Sequence, residues 1–292
     1  MADAAPAVLI TGATSGLGRY LARQLASSGW QVLAHGRDPA RVAHLTAELG
    51  GARGYVADLA SLGDVRELAA LVRAEVPRLD VLVNNAGIGF GAPGEGRQVS
   101  ADGHELRFAV NYLAPVLLTR LLVPLLTASA PSRIVNVGSI GQVPFDPADA
   151  EFEAGYNGLD AYRRSKLALA AFTFDLAGEL AAAQVTVNCL HPATLMNTEM
   201  VAHAGITPVT TVEQGGEATM RLITDPALDA VTGQFFDGLR TSRALPQAYD
   251  RQFRMQLGEV TDQILSQVQP RPEPLREEPD DRYPGTDQSA SA

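Results

Sequence analysis

A chain of 292 residues, 46% hydrophobic and 19% charged, has enough apolar content to fill a large core and lies near the upper size at which one core serves a whole domain. A net charge of -10 argues against nucleic acid or an anionic membrane as partner, and the longest apolar run is broken by Arg120 and two prolines, short of the ~18–20 uninterrupted residues of a membrane span. Cys189 is the sole cysteine, so no intrachain disulfide can form; with no basic n-region at the N-terminus, the expected location is a reducing cytoplasm.

Short β-rich runs then alternate with longer amphipathic stretches, the pattern of βαβ units. A strand over Ala7–Thr11 enters a glycine-containing turn and a helix from about Gly16 to Ser28. Further strands are expected over Trp30–Gly36, Gly54–Leu59, Asp80–Gly87 with its exit turn, Ser132–Ser139 and Val185–Pro192, and a short last one begins at Gly233. These runs are apolar without alternation, so helices must cover both faces. The fold class is α/β: a Rossmann-like, doubly wound parallel sheet of about seven strands. A long helix is expected over 159–182 and a terminal helix over 247–268, closing a single domain at residues 1–268. Residues 87–103 read as a glycine-rich loop. Residues 142–160 read as an acidic loop, either solvated or able to attract a cationic group. Residues 269–292 are rich in Pro, Glu, Asp and Ser and are expected to be disordered.

The turn T-G-A-T-S-G-L-G places Gly12, Gly16 and Gly18 directly after the first strand and at the start of a helix. A pyrophosphate approaching backbone N–H groups at a helix N-terminus requires such absent side chains. The turn residues Gly12, Thr14, Ser15, Gly16, Leu17 and Gly18 are therefore candidate dinucleotide contacts. At the end of the second strand an acidic residue would bind a ribose 2′-hydroxyl, whereas an arginine accommodates a 2′-phosphate. Here Gly36 is followed by Arg37, which favours NADP(H) over NAD(H). Asp38 keeps the other reading open, and Arg19 is either a second phosphate contact or a surface residue.

Of 23 basic residues only Lys166 is lysine, an arginine bias that fits a GC-rich, bacterial coding sequence. That one lysine lies four positions after Tyr162 within a stretch of helix formers, so the two side chains share a face. A phenol with an ordinary pKa near ~10 exchanges protons poorly at neutral pH, and a neighbouring ammonium lowers that value. Tyr162 is thus the candidate general acid or base. Ser139 ends the fifth strand at the sheet's carboxyl edge, where open α/β folds bind ligands, and is either a substrate contact or a turn residue.

With these residues in order, the chain resembles the short-chain dehydrogenase/reductase family over about residues 7–265. The glycine turn, Asp58-Leu59, Asn84 to Gly87, Asn111, Ser139 and the Tyr162/Lys166 pair carry the resemblance. It implies that Ser139 orients a substrate carbonyl, Tyr162 exchanges the proton, Lys166 binds the nicotinamide ribose and lowers the tyrosine pKa, and Asn111 holds a water in a proton relay. It also implies adenine contacts from Asp58 and Leu59, ribose-side contacts from Asn85, Ala86 and Gly87, and further cofactor contacts near Pro192, Thr194 and Thr198. Where the family usually has Pro-Gly followed by a carboxamide-binding threonine, this chain has Pro192-Ala193, leaving Thr194, Asn197 and Thr198 as alternatives. The likeness is greatest to a retinol-dehydrogenase-like branch that commonly uses NADP(H). A small, largely apolar ketone, aldehyde or alcohol is the expected substrate, with Met196, Met200, Val201 and Ile206 lining the pocket or packing the lid. The resemblance allows a homodimer or homotetramer through the helices of Asn111 and Tyr162, unless the C-terminal helix blocks them. The histidines are too scattered for a metal set, so none is expected. The rival class is a catalytically idle NADP(H)-binding sensor or scaffold.

Overall fold

The computed structural model describes residues 5–92 and 94–268; the tail expected to be disordered lies outside them. The first half contains β1 (Ala7–Ile10), α1 (Gly16–Ser27), β2 (Gln31–Gly36), α2 (Pro39–Leu49), β3 (Arg53–Val56), α3 (Leu62–Glu75) and β4 (Val81–Asn84). Then come α4 (Leu106–Phe108), a π turn (Ala109–Leu113), α5 (Ala114–Ala128), β5 (Ser132–Val137), α6 (Gly158–Glu179) and β6 (Val185–His191). The chain closes with α7 (Glu199–His203), α8 (Val212–Thr224), β7 (Phe235–Asp237), β8 (Arg240–Ser242) and α9 (Arg251–Ser266). The strands form one sheet in the order β3-β2-β1-β4-β5-β6-β7-β8. All pairs are parallel except the last, where β8 turns back on β7 through Gly238 at φ 56. This eighth strand has the short, polar sequence RTS, so no run of apolar residues announces it.

Alternate residues of each strand serve opposite faces, as the period of two requires. Leu9, Leu82 and Phe235 join α3, α5 and α6 in one core, whereas Val8, Ile10, Val81 and Phe236 join α1 and α8 in the other. The helical run Leu106–Ala128 is long and apolar enough, by length and composition, to cross a membrane, contrary to the sequence expectation. Within this fold 72% of its apolar window is buried, so the sheet and its neighbouring helices use that surface.

The terminal helix starts at Arg251, later than expected, because Pro246–Tyr249 forms a separate 3-10 turn and the Asp250 carboxylate caps the N–H groups of Gln252 and Phe253. α9 lies across α5 and α6. Arg254 Nε donates to Asp175 at 2.6 Å, Arg120 reaches Asp262, and Arg66 donates to the Leu265 carbonyl at the helix end at 3.1 Å. Self-association through the α5 and α6 faces would have to displace this helix.

The Thr261 hydroxyl donates to the Leu257 carbonyl at 2.7 Å, so the buried Tyr112 hydroxyl donates to Thr261 at 2.8 Å. Thr261→Val removes the acceptor and leaves a buried phenol unpaired, a cost of about 1–3 kcal/mol. We expect Tm to fall by several degrees in calorimetry, with cofactor affinity unchanged.

Candidate active site

The glycine turn is shaped by what surrounds it. Gly12 and Gly16 have φ of 65° and 47°, a region that disfavours side chains. A Cβ on Gly18 would lie 2.2 Å from the Gly12 carbonyl oxygen, and one on Gly12 would lie 2.9 Å from the Ala86 Cα. Thr11 Oγ1 accepts the N–H groups of Asn85 and Ala86 at 3.0 Å each, and the Asn85 amide donates to the carbonyls of Thr11 and Gly12. Asn85 and Ala86 therefore act first as ties between the two strand exits. Ser15 precedes α1 without making a capping bond to it, and Leu17 is buried in the core. Gly12 and Gly18 thus serve close backbone packing, which sets the turn at the α1 N-terminus, where backbone N–H groups suit a dinucleotide pyrophosphate.

The strand-end residues divide by role. Arg37 is exposed and makes no ion pair among the described residues. Asp38 caps α2, its Oδ1 accepting the N–H groups of Ala40 and Arg41, while its Oδ2 lies 4.0 Å from Arg41. Arg19 pairs with Glu48 at 2.8 Å, alongside Arg23. Asp58 uses one oxygen to accept the Ala60 N–H at 3.0 Å, and Leu59 points into the core.

Sequence reading counted His35 only among scattered histidines, yet it sits beneath the turn. Its Nδ1 accepts the Gly12 N–H at 3.2 Å, so its Nε2 carries the hydrogen and donates to the Ala57 carbonyl at 3.1 Å. Its own carbonyl accepts the Ala13 N–H at 2.8 Å. Burial holds the imidazole neutral, with a pKa lowered to about 4. This one side chain fixes the distance between the pyrophosphate turn and the β3 exit at Asp58. No local sequence pattern marks it, because its partners lie 22 and 23 residues away.

At the carboxyl edge the structure brings Ser139, Tyr162, Lys166 and Asn111 together. Lys166 Nζ donates to the Val137 carbonyl at 2.9 Å and lies 5.8 Å from the centroid of the Tyr162 ring. A Cβ on Gly87 would sit 3.1 Å from Asn111 Oδ1 and 3.5 Å from Lys166 Nζ, so Gly87 leaves the floor between them open. Phe90 packs edge-on against Tyr162, 5.9 Å between centroids. Burial lowers the Lys166 ammonium to about 8.

One expectation needs correction here. The Tyr162 pKa is raised, not lowered: burial dominates, and Ser139 beside it pulls the other way only in part. The Asn111 side chain is fully engaged with the protein. Its Nδ2 donates to the Ile88 carbonyl and to Ser165 Oγ at 3.0 Å each, and its Oδ1 accepts the Ile88 N–H at 2.8 Å. It sits within the π turn, a feature frequent at functional sites, and orients the loop after β4.

The segment after β6 forms the remaining wall. Pro192 is buried, and Thr194 Oγ1 meets His191 Nε2 at 3.0 Å. Thr198 lies against the glycine turn, its Cγ2 3.1 Å from where a Gly16 Cβ would be. Of the three alternatives, Thr198 is the residue that abuts the turn. Met200 faces Gly89, Met196 fills the space beside Gly215, and Val201 is buried. In the acidic segment Asp146, Asp149 and Glu153 are exposed to solvent, as a solvated loop requires, and two of its carboxylates already have cationic partners. Asp149 pairs with Arg164 at 2.9 Å, Glu151 pairs with His104 and Arg97, and Arg164 stacks 3.6 Å from the Phe152 ring centroid.

Comparison with known proteins matches residues 6–207 to the family described as short chain dehydrogenase. Retinol dehydrogenase 14 of Homo sapiens is 37% identical, with 88% of this chain and 85% of that protein covered. Among solved structures, 3-ketoacyl-(acyl-carrier-protein) reductase from Brucella melitensis complexed with NADH superposes with a TM-score of 0.65 at 26% identity, covering 80% of this chain and 96% of that one. The RhlG/NADP active-site complex of Pseudomonas aeruginosa gives 0.66 at 28% identity, covering 80% and 95%.

His35→Ala strands the Gly12 N–H, a loss of about 1–3 kcal/mol for an unsatisfied buried donor. We expect Kd for NADPH and NADH to rise together, by about tenfold, with kcat at saturation little changed. His35→Asn, whose Oδ1 lies near the position of Nδ1, should recover part of the affinity in fluorescence titrations. A lower Tm with unchanged Kd would leave the residue a purely structural role.

Proposed function

The chain belongs to the short chain dehydrogenase family and is an oxidoreductase acting on CH–OH/C=O with NAD(P), and we propose that it is NADP(H)-dependent and reduces a small, largely apolar ketone or aldehyde with Tyr162 as the proton donor. The observation that carries this reading is Tyr162 beside Ser139, with the Lys166 ammonium 5.8 Å from its ring centroid and the glycine turn across the same sheet edge. The name retinol dehydrogenase, borne by a relative at 37% identity, and the apolar wall from Phe90 and Met200 support an apolar substrate. Cys189 as the sole cysteine supports a reducing compartment such as the cytoplasm.

The amides of the glycine turn, Gly87 and Lys166 would hold the dinucleotide, with Arg37 toward a 2′-phosphate. When bound, the nicotinamide supplies the hydride. Ser139 orients the carbonyl oxygen within reach of Tyr162. A phenol with a raised pKa keeps its proton through neutral pH, so Tyr162 is loaded as an acid and gives that proton to the developing alkoxide. Lys166 then faces the nascent phenolate with its positive charge. Asn111 acts as a positioning residue through Ile88 and Ser165. The intact Ser139/Tyr162/Lys166 set weighs against the idle-sensor alternative, which has no chemical need of it.

Tyr162→Phe is expected to reduce turnover by about 10²–10⁴-fold while leaving NADPH affinity nearly intact; near-normal rates would remove the proposed role. Lys166 is charged below its pKa of about 8 and neutral above it. Reductive kcat/KM should therefore decline as pH rises past 8, and Lys166→Arg should move that limb upward. Arg37→Ala should weaken NADPH far more than NADH; equal effects would exclude it from phosphate binding.

A further inference from the structure

Beside the glycine turn lies a cavity of about 430 Å³ whose lining includes Ser15, Gly16, Arg19, Arg41, His44 and Glu199, with Arg19 already paired to Glu48. It joins three elements: the start of α1, the exposed side of α2, and the first residue of the lid helix α7. Arg41 Nη1 donates to both carboxylate oxygens of Glu199 at 3.0 Å each. Its other acidic neighbour, Asp38, is 4.0 Å away and already caps α2. The residue before Glu199 is Thr198, which abuts Gly16. The lid thus enters directly over the phosphate-binding turn, and its first side chain occupies an arginine on α2.

We propose that Glu199 is an internal stand-in anion, holding Arg41 until the 2′-phosphate of the cofactor takes that arginine together with Arg37 and frees the first residue of the lid. This rests on the NADP(H) reading above. Two physical facts support the exchange. The Arg41 and Glu199 side chains are 51% and 67% exposed, so their pair is weak and displaceable, not an anchor. A phosphate monoester carries more charge than one carboxylate and offers three acceptor oxygens to a guanidinium fork. A cofactor lacking the 2′-phosphate has no group to compete, and the pair persists. Arg41 is then a specificity-determining residue, and Glu199 sets how much of its charge the cofactor can use.

The test is calorimetric binding of 2′,5′-ADP and of 5′-AMP, which differ at the 2′ position. Wild type is expected to prefer 2′,5′-ADP. Glu199→Gln should tighten 2′,5′-ADP by about three- to fivefold, the scale of an exposed charge contact, and leave AMP unchanged. Arg41→Gln should weaken 2′,5′-ADP on the same scale, and the double variant should match Arg41→Gln alone, since Glu199 acts only through Arg41. Amide exchange over residues 199–203 should be faster with 2′,5′-ADP than with AMP in wild type, and equal with both in Glu199→Gln. Unchanged 2′,5′-ADP affinity in both variants, in a wild type that prefers it, overturns this inference alone. A wild type without that preference overturns the NADP(H) reading and this inference with it.

Discussion

The exits of β1 and β4 approach so closely that side chains cannot fit between them. The Gly12 carbonyl fills the space where Gly18 would carry a Cβ, and the Ala86 backbone presses on Gly12 from the other side. Thr11 and Asn85 lock this contact with four hydrogen bonds. The strand order reverses at this point: β2 and β3 lie on one flank of β1, and β4 to β8 on the other. Open parallel sheets form their ligand cleft at such a reversal. The glycines, the β4 loop that carries Gly87, and the floor beneath Lys166 all take their positions from this contact.

Charge at the centre of the cleft is decided by burial more than by proximity. A lysine four residues from a tyrosine suggests a lowered phenol pKa, and spacing alone supports that inference. In the folded protein both groups are desolvated. Lys166 is itself pushed down to about 8, and the Tyr162 hydroxyl finds its relief in Ser139, not in the ammonium. Desolvation therefore favours the protonated phenol in the folded protein. Cys189, near Lys166, is pushed up to about 12 by the same desolvation and remains an uncharged packing group.

Features set by local period were legible in the sequence. The unalternating strands, the glycine turn after β1 and the shared helical face of Tyr162 and Lys166 follow from spacings of two and four residues, and the structure places each near its expected position. Features made by pairs distant in sequence were not legible. His35 binds across 22 and 23 residues, Arg41 reaches Glu199 across 158, and Tyr112 meets Thr261 across 149. The carboxylates of residues 146–153 read as solvent-facing charge, and Asp146, Asp149 and Glu153 are exposed; what composition could not show is that Arg97, His104 and Arg164, outside the acidic run, pair with Glu151 and Asp149. β8 escaped notice because three polar residues on an edge strand need no apolar face.

The two walls of the cleft are held by interactions of different strength. On the α6 side, Arg164 lies two positions after Tyr162, stacks on Phe152 and pairs with Asp149, while the Gln247 side chain bonds both the N–H and the carbonyl of Phe145. Cation stacking on an aromatic ring, a partly buried ion pair and backbone hydrogen bonds together tie that wall to α6 and to the 3-10 turn before α9. On the opposite side, α7 is five residues long and too short to be stable alone. Its first residue is held by Arg41 through exposed side chains, and its last, the exposed His203, lies 4.0 Å from the half-buried Glu95. Exposed pairs contribute about 0–1 kcal/mol each, so thermal motion or a competing anion can open them. Tyr162 therefore stands on the fixed wall, and α7 forms the weakly held one.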